Sequence, residues 1–325
     1  MALVKVGVIG VGHLGALHAK MLAQADGAAL IGVYDVDKQR SAAIAAEVGA
    51  RSFASMQELL TECDAVSIAT PTKNHFETAS LAMESGKHIF LEKPITATVE
   101  EARMLNAQAK KHSVKIQVGH IERFNPAILA VDRYRLNPLF IESHRLAQFN
   151  PRGSDVAVVL DLMIHDIDII LSLVNSEVVH VDANGVAVIT DSADIANARL
   201  KFANGCVANV TASRISRSRM RKMRLFQENA YISIDFASQE AEVFHLADPN
   251  DASVTPTMLL GMIDKGSVER SIVYEKPEIP KINPLQHELQ MFIDAIRKDA
   301  RPVVSGEDGQ RALEVAEEIL RQIGA

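Results

Sequence analysis

Short apolar runs and amphipathic stretches alternate over the first third of the chain. The apolar runs are nearly free of charge, as strands buried on both faces of a parallel sheet are. They cover residues 5–10, 29–34, 65–69, 88–91 and 114–118. The stretches between them have helical periodicity and cover residues 16–24, 38–48, 74–85 and 99–111. This order predicts an α/β domain over residues 1–120, built on a doubly wound parallel sheet.

After residue 120 the pattern changes to consecutive strands. A helix is predicted to open at Ile121, and strand-like runs joined by short turns follow it. The runs cover residues 139–147, 178–190, 195–202, 206–213, 220–227, 231–236 and 242–246. Short turns join antiparallel strands, so residues 121–325 are predicted to form a C-terminal α+β domain with a large, mostly antiparallel open sheet. A loop is predicted over 247–256 and closing helices over 284–298 and 306–322, the last able to pack back on the first domain.

One predicted helix, over residues 155–174, is apolar nearly all round. Among its polar residues, Asp161, His165, Asp168 and Ser172 recur at spacings of four, three and four, which place them on one helical face. Such a stripe can simply face water. On a helix that is otherwise apolar all round, however, a polar stripe indicates a partner or a cavity.

A glycine-rich turn follows the first predicted strand. Gly10, Gly12 and Gly15 form G-x-G-x-x-G between strand and helix, and Asp35 ends the second strand about 20 residues later. In this setting the motif predicts a Rossmann domain with a pyrophosphate at the helix N-terminus and an acid on the adenine ribose. A carboxylate there repels a 2′-phosphate, which favours NAD over NADP. Asp37 could share that role or could cap the next helix.

The strand over 88–91 runs into Glu92, Lys93 and Pro94. The carboxyl end of such a strand is where ligands bind in open parallel sheets. The same three residue types recur at Glu275, Lys276 and Pro277 with no dinucleotide pattern around them. A surface Glu-Lys pair before a loop is therefore the plain alternative for either copy.

Composition limits the partners of this chain of 325 residues. Its net charge of −7 argues against nucleic acid or an anionic membrane as the main partner. Cys63 and Cys206 are far apart, which excludes a disulfide framework and suits a reducing cytoplasm. Residues 1–5 lead directly into a strand and leave no room for a signal peptide. We therefore predict a cytoplasmic protein.

A metal site is the competing use of the acids around His165. Asp161, Asp166 and Asp168 surround it in sequence, and they also interrupt the long apolar run so that it does not predict a membrane span. No second histidine lies at a matching offset, so no metal is predicted.

The order of these motifs resembles the Gfo/Idh/MocA family of NAD(P)-dependent oxidoreductases, whose members act mostly on sugars, sugar derivatives and cyclitols. The resemblance rests on the glycine-rich turn, an Ala-Thr-Pro turn at residues 69–71, a helix with His75, and a segment over 86–94 that ends in Glu92-Lys93-Pro94. It indicates that the first Glu-Lys-Pro copy is the functional one. The candidate cofactor-binding residues are Gly10, Gly12, His13, Leu14, Gly15, Asp35, Thr70, Pro71, His75, Glu92 and Lys93. Thr70 and Pro71 could equally be a turn, and His75 a structural hydrogen-bonding residue.

The Asp161-x-x-x-His165 spacing matches the family's second motif. There the aspartate and histidine join the lysine of Glu-Lys-Pro, which implies Lys93, Asp161 and His165 as the catalytic group. The resemblance places Lys93, Arg123, Asn125, Asp161 and His165 on the substrate. The family often has small residues within this motif, where this chain has Met163 and Ile164.

The implied reaction is hydride transfer from a secondary alcohol of a sugar to NAD. A base must remove the hydroxyl proton. We predict His165 as acid/base with Asp161 orienting its ring and Lys93 polarising the reacting oxygen; the reverse assignment of Lys93 and His165 stays open.

Residues 119–126 and 221–235 look most like family members that oxidise the 3-hydroxyl of UDP-N-acetylglucosamine, a step in surface-glycan or lipid A precursor synthesis. A sugar or cyclitol dehydrogenase of the inositol type is the nearest alternative, and an NAD-binding sensor without turnover is the alternative from another class. A run of cations between Arg214 and Arg224 could attract a nucleotide sugar, or be a solvated sheet face or a subunit contact. The resemblance also implies a homodimer or homotetramer.

Overall fold

The structure, a computed structural model, describes residues 2–150, 156–247, 258–265 and 268–324. It divides into unit 1, Met1–Ile121 with Ile282–Glu314, and unit 2, Glu122–Lys281 with Val315–Ala325. The sequence-based division at residue 120 placed 282–314 in the second domain, whereas the structure groups these residues with unit 1. Asp155, the predicted start of the long helix, and residues 248–256 of the predicted loop lie outside the described residues.

Unit 1 contains a six-stranded parallel sheet in the order β3-β2-β1-β4-β5-β6. Its strands are β1 Val4–Ile9, β2 Ala28–Tyr34, β3 Arg51–Ser52, β4 Ala65–Ile68, β5 His88–Glu92 and β6 Ile116–Gly119. The strand order reverses between β1 and β4, so the carboxyl ends of these two strands border the crevice where doubly wound sheets bind ligands. The predicted α/β fold class is confirmed.

Five helices connect these strands: α1 His13–Leu22, α2 Lys38–Val48, α3 Met56–Glu62, α4 His75–Glu84 and α5 Val99–His112. A single 3₁₀ turn, Thr72–Asn74, precedes α4. Local chemistry sets several of their ends. Asp37 caps α2 by accepting a hydrogen bond from the Arg40 backbone N–H at 3.0 Å, and left-handed Gly49 ends it.

Unit 2 contains a nine-stranded sheet in the order β14-β15-β13-β12-β11-β7-β10-β9-β8. The strands are β7 Phe140–Leu146, β8 Val178–Val186, β9 Ile195–Phe202, β10 Val207–Ser213, β11 Met220–Gln227, β12 Ala230–Asp235, β13 Glu240–Ala247, β14 Met258–Lys265 and β15 Val268–Glu275. Neighbours pair antiparallel except β7 and β10, which run parallel. The predicted mostly antiparallel sheet is confirmed.

The helical segments of unit 2 are short. The predicted helix at Ile121 is instead a 3₁₀ turn over Ile121–Phe124, followed by the one-turn helix α6 Pro126–Leu129. A π-helical turn, Val159–Met163, leads into α7 Ile164–Val174, which packs on β7 and β10.

One face of the nine-stranded sheet carries a row of five aromatic rings on five adjacent strands. The members of this aromatic row are Phe140, Phe226, Tyr231, Phe244 and Tyr274. Neighbouring ring centroids lie 5.0 to 5.8 Å apart, because each pair is directly opposite in the strand register. The alternate residues along the same strands, such as Leu225 and Ile232, are buried on the other face.

The chain then returns to unit 1 and adds α8 Pro284–Arg297 and the first part of α9 Gly306–Ile323. Leu289, Phe292 and Ile293 of α8 join Val8 and Phe90 in one buried apolar cluster. The start of α9 lies against β6 so closely that a Cβ at Gly309 would be 2.7 Å from the side chain of Val118. None of the helices in the described ranges is long and apolar enough to cross a membrane.

Candidate active site

The glycine loop after β1 combines close packing with open space. Gly10 has a φ of +82°, and a Cβ on Gly15 would lie 1.8 Å from the Gly10 carbonyl oxygen, so helix α1 begins in direct contact with the loop. A Cβ on Gly12 would meet no atom within 4 Å. Helix α1 has no side-chain cap and no acid in its first turn, and His13 and Leu14 there have exposed side chains. This end of α1 therefore fits a pyrophosphate bound by backbone N–H groups.

Asp35, the residue after β2, joins that loop to the second strand. Its Oδ2 accepts a hydrogen bond from the Val11 backbone N–H at 2.8 Å, and its Oδ1 accepts one from Asp37 at 2.8 Å. Each carboxylate oxygen keeps a second lone pair, which is the chemistry that ribose hydroxyls require. The Asp37 side chain already caps α2, so Asp35 is the better candidate for the ribose contact.

His75 connects the ends of β4 and β5. Its Nδ1 lies 2.9 Å from the carbonyl oxygen of Pro94, and its Nε2 lies 2.9 Å from that of Thr70. Burial lowers the pKa of the His75 ring, opposed by the two carbonyl groups. The imidazole thus holds the turn with Thr70 and Pro71 against the segment that follows Lys93, and a direct cofactor contact by these three residues stays a prediction.

Glu92 is the last residue of β5, and Lys93 follows it at a half-buried position. Glu92 Oε1 lies 3.0 Å from Nε2 of His18, and Oε2 accepts a hydrogen bond from the Lys93 backbone N–H at 3.2 Å. Burial raises the pKa of Glu92, but the adjacent His18 ring and then the charge of Lys93 outweigh burial and hold the pKa below its usual range.

Sequence reasoning missed His18. The residue lies on the buried side of α1, three positions after Gly15. Its position in the predicted helix was a signal that could have identified it. An imidazole that faces the core needs a polar partner, and polar side chains were already predicted at the nearby strand ends.

In unit 2, Asp161 lies within the π-helical turn and His165 is the second residue of α7. The Ile164 backbone N–H donates to the carbonyl of Val159, five residues back, which closes the wide turn directly before His165. Both side chains are half-buried. Single π turns inside α-helices are frequent at functional sites, where the extra residue changes which side chains share a face.

Buried ion pairs anchor the helix that carries His165. Arg145 Nε donates to Asp166 at 2.7 Å and its Nη1 donates to Glu122 at 2.8 Å. Burial lowers the pKa of Arg145, but the two carboxylates outweigh burial and raise it. Arg123 holds Asp168 with two hydrogen bonds of 2.7 and 2.8 Å. Asp166 and Asp168 are therefore bound to arginines on either side of α7.

Asn125 caps α6 through a 3.1 Å hydrogen bond from the Ala127 backbone N–H. Its Nδ2 donates to Glu122 and to the carbonyl of Phe236, and the residue is only 5% exposed. The structure thus gives Asn125 and Arg123 internal partners, and their substrate contacts stay predictions.

Two further sequence candidates have local partners. Within the basic run, Lys222 pairs with Asp235 at 3.1 Å and Arg224 with Glu142 at 3.2 Å. In the second Glu-Lys-Pro copy, Glu275 accepts a hydrogen bond from Tyr134 at 2.6 Å. Among the residues that the structure describes, no group of three or more His, Cys, Asp and Glu side chains is arranged to hold a metal ion.

The candidate residues thus form two groups. Unit 1 holds the glycine loop, Asp35 and Lys93, and unit 2 holds Asp161 and His165. The first group fits a dinucleotide, and the second presents an acid and an imidazole on an anchored helix.

Comparison with known proteins identifies the family. Residues 4–120 match the model for an oxidoreductase family with an NAD-binding Rossmann fold, and residues 129–233 match the Gfo/Idh/MocA C-terminal domain. The chain belongs to the Gfo/Idh/MocA family. The predictions of an NAD cofactor and of an oxidoreductase are confirmed with it.

Several relatives are similar over much of their length. The UDP-N-acetylglucosamine 3-dehydrogenase of Acidithiobacillus ferrooxidans is 40% identical, over 96% of this chain and 95% of its own. A solved structure of that enzyme superposes with a TM-score of 0.89 at 38% identity, covering 99% of this chain and 98% of the other. The scyllo-inositol 2-dehydrogenase (NAD(+)) of Bacillus subtilis is 32% identical over 66% of this chain and 68% of its own.

Proposed function

We propose that this protein is an NAD-dependent dehydrogenase that oxidises the 3-hydroxyl of UDP-N-acetylglucosamine, in the supply of a surface-glycan or lipid A precursor. The observation that carries the proposal is the likeness to the Acidithiobacillus ferrooxidans 3-dehydrogenase, which continues through the substrate-side domain as well as the Rossmann domain. Lys93, Asp161 and His165 supply the residue types that the reaction needs.

NAD, when bound, accepts the hydride that leaves the sugar carbon. The hydroxyl proton must leave in the same step, and His165 is the group we assign to take it. Asp161 orients the imidazole, and Lys93 donates a hydrogen bond to the reacting oxygen and stabilises its developing negative charge. In the reverse assignment, Lys93 takes the proton and His165 donates to the oxygen.

His165→Ala tests this assignment. We expect kcat to fall by about 10²- to 10⁴-fold, the usual worth of a general base, while the Kd for NAD stays unchanged. Ser172→Ala is the matched control, because Ser172 is an exposed residue of the same helix whose hydroxyl donates to the Ile169 carbonyl within that helix. Steady-state kinetics and calorimetric NAD titration measure both quantities. Unchanged kcat in His165→Ala contradicts the assignment.

The substrate is tested by NADH formation from NAD with UDP-N-acetylglucosamine, free N-acetylglucosamine, glucose and myo-inositol in parallel. We expect NAD to be reduced only with UDP-N-acetylglucosamine among the four compounds. That result would support binding of the diphosphate by the basic run between Arg214 and Arg224. Turnover of a free sugar instead overturns the substrate and leaves the dehydrogenase class in place.

The second candidate is a cyclitol dehydrogenase, which the likeness to the scyllo-inositol enzyme favours. Turnover of myo-inositol in the same assay would select it. A sensor is the remaining alternative, and NAD binding without turnover of any sugar would select that one.

A second copy of this chain is the partner that we propose for the sheet face with the aromatic row. Phe226, between Phe140 and Tyr231 in the row, is 37% exposed. Arg224, Glu142 and Lys222 beside it supply both signs of charge, as a surface that meets itself across a two-fold axis requires. A homodimer or homotetramer would cover the rings.

The reducing cytoplasm remains our proposal for the compartment. Cys63 and Cys206 are both buried free thiols, and burial raises the pKa of each to about 11. Thiols of this kind are inert structural residues, in agreement with an environment where disulfides do not form.

A further inference from the structure

We propose that Arg221 is the specificity residue that binds the diphosphate of a nucleotide-linked sugar, on the face of the nine-stranded sheet against which α7 packs. The inference rests on the proposed function for the identity of the substrate, and it narrows the basic run to one residue. The contacts that carry it lie within unit 2.

Strand β11 divides the basic run between the two faces of the sheet. Successive side chains of a strand point to opposite faces. Lys222 and Arg224 therefore lie on the face of the aromatic row, four and two residues before Phe226. Arg221 lies on the opposite face with Met223, which is fully buried.

The strand register brings Arg221 next to the residue that anchors α7. Arg221 is directly opposite Arg145 of β7, and residues paired in this way have their side chains on the same face. Arg145 binds Asp166 through Nε at 2.7 Å and Nη2 at 3.2 Å. Asp166 is the residue after His165. Arg221 is thus the cross-strand neighbour of the arginine that holds the start of the His165 helix.

Glu122 holds Arg221 in place and leaves most of its guanidinium available. Two arginines directly opposite each other repel, but Glu122 Oε1 accepts from Arg145 Nη1 at 2.8 Å and from Arg221 Nη1 at 3.4 Å. Within the described ranges, Nε and Nη2 of Arg221 meet no acceptor. Arg123 uses that same edge of its guanidinium to hold both oxygens of Asp168. The edge matches two phosphate oxygens equally well.

Arg221 also combines this face with access to solvent. Its side chain is 52% exposed, whereas that of Arg145 beside it is 3% exposed. Arg214, at the other end of the basic run, is buried. Arg217 and Arg219 precede β11, so the alternation of that strand assigns them to neither face. An arginine that is anchored at one nitrogen and exposed along its opposite edge suits an anion that enters from solvent.

The position of the diphosphate in a nucleotide sugar gives this contact its use. The diphosphate is attached to C1 of the sugar, two carbons from the 3-hydroxyl. A contact at the diphosphate together with one at the hydroxyl orients the ring for reaction. Free sugars and cyclitols lack the diphosphate, so Arg221 adds affinity for the nucleotide-linked substrate alone.

The test compares Arg221→Gln, Arg221→Lys and Lys222→Gln in the full-length protein. Lys222 is the adjacent residue on the opposite face, so its loss removes one charge from the same strand. Arg199→Gln is the surface control, because Arg199 is an exposed residue of β9 that donates to Asn209. The first readout is calorimetric titration of UDP into protein saturated with NADH, which occupies the diphosphate site of the cofactor itself. The second is the pair of kcat and KM with UDP-N-acetylglucosamine.

We expect Arg221→Gln to raise the Kd for UDP and the KM for the UDP-sugar about tenfold or more, because charge-assisted hydrogen bonds are lost. The value of kcat should change by about threefold or less. Arg221→Lys keeps the charge without the paired donors and should recover only part of the affinity. Lys222→Gln should raise the Kd by about twofold or less, and Arg199→Gln should leave it unchanged.

Equal losses of UDP affinity in Arg221→Gln and Lys222→Gln would show that the basic run acts through its overall charge, and would overturn the proposal. An unchanged Kd in Arg221→Gln does the same, as does a wild-type protein that binds no UDP. Should Arg221→Gln fail to fold, Arg221→Lys decides the question, with a Kd about threefold or more above that of wild type expected and an unchanged Kd contradicting the role.

The two proposals fail in different ways. A wild-type protein that binds UDP through Arg221 but oxidises no UDP-sugar refutes the proposed function and leaves the diphosphate contact in place. Oxidation of UDP-N-acetylglucosamine with a normal KM in Arg221→Gln refutes the role of Arg221 and leaves the proposed function in place.

Discussion

Three glycines within one turn meet very different surroundings. A Cβ at Gly15 would overlap the Gly10 carbonyl at 1.8 Å, while one at Gly12 would point into open space. Gly12 also has a φ of −63°, which any L-residue adopts. One glycine is thus required by the protein's own packing, and the other only by what approaches it.

We therefore expect Gly15→Ala and Gly12→Ala to separate folding from cofactor binding. Gly15→Ala should destabilise the protein by about 1–3 kcal/mol or more, because backbone must move to admit the methyl group. Gly12→Ala should change stability by roughly 0.5 kcal/mol or less but weaken NAD binding, because its methyl group occupies the pyrophosphate approach. Thermal unfolding without NAD and calorimetric NAD titration check the pair. A stable Gly15→Ala, or NAD affinity retained in Gly12→Ala, would contradict this account of the loop.

The sequence predicted those residues whose role follows from the residues next to them in the chain. The glycine loop and Asp35 follow from spacing, and the predicted range of α2, 38–48 after a possible cap at Asp37, is the observed one. The partners of His18 and Arg145 could not be predicted, because Glu92 and Asp166 are distant from them in sequence. Only the fold brings those partners within hydrogen-bond distance.

At the level of elements, α7 is held by charge as well as by apolar packing. Arg145 is 3% exposed between two carboxylates, so removing it leaves both Glu122 and Asp166 without their shared cation. The cost of breaking a buried ion pair comes largely from the charge that is left behind.

Arg145→Met should lower the free energy of unfolding by about 3–5 kcal/mol. Lys20→Met is the matched control, because Lys20 pairs with Glu47 on a surface where both side chains are more than a third exposed, and its loss should cost about 1 kcal/mol or less. Urea unfolding of both variants measures the difference. Equal losses would mean that the Arg145 cluster does not anchor α7.

Element boundaries were predicted well where burial alternates and poorly elsewhere. Strands β9 and β11 have the predicted bounds. Strand β14 was missed because Met258, Leu259 and Leu260 are all exposed and give no alternation to detect.

The π-helical turn was predicted as regular helix, since one extra residue in an apolar run leaves its composition unchanged. Asn125 before Pro126 ends the 3₁₀ turn at 124, as residues before proline avoid helical conformation.

At the scale of the whole molecule, the nine-stranded sheet has a large face lined by aromatic rings. Contiguous exposed apolar patches on soluble proteins usually mark interaction sites. The row crosses five strands, so a single charge within it would disrupt a partner that packs on the rings.

Phe226→Glu should convert the proposed oligomer to smaller species, with a loss of about 2 kcal/mol or more in association free energy. Val188→Glu is the control, because Val188 is 62% exposed and lies outside the row. Light scattering with size-exclusion chromatography gives the mass of each. An unchanged mass in Phe226→Glu would contradict use of this face.

The return of the chain to unit 1 has a consequence for biosynthesis. Residues 1–121 emerge from the ribosome first. Leu289 and Phe292 pack against Val8 and Phe90 in the folded protein, but they are synthesised only after the nine strands of unit 2. Throughout that interval the nascent six-stranded sheet keeps an apolar face without its permanent cover, a surface that chaperones recognise. A fragment that ends at residue 121 would lack α8 and would leave that apolar face exposed permanently. The cofactor-binding half of this protein therefore needs the later residues of the chain to complete its core.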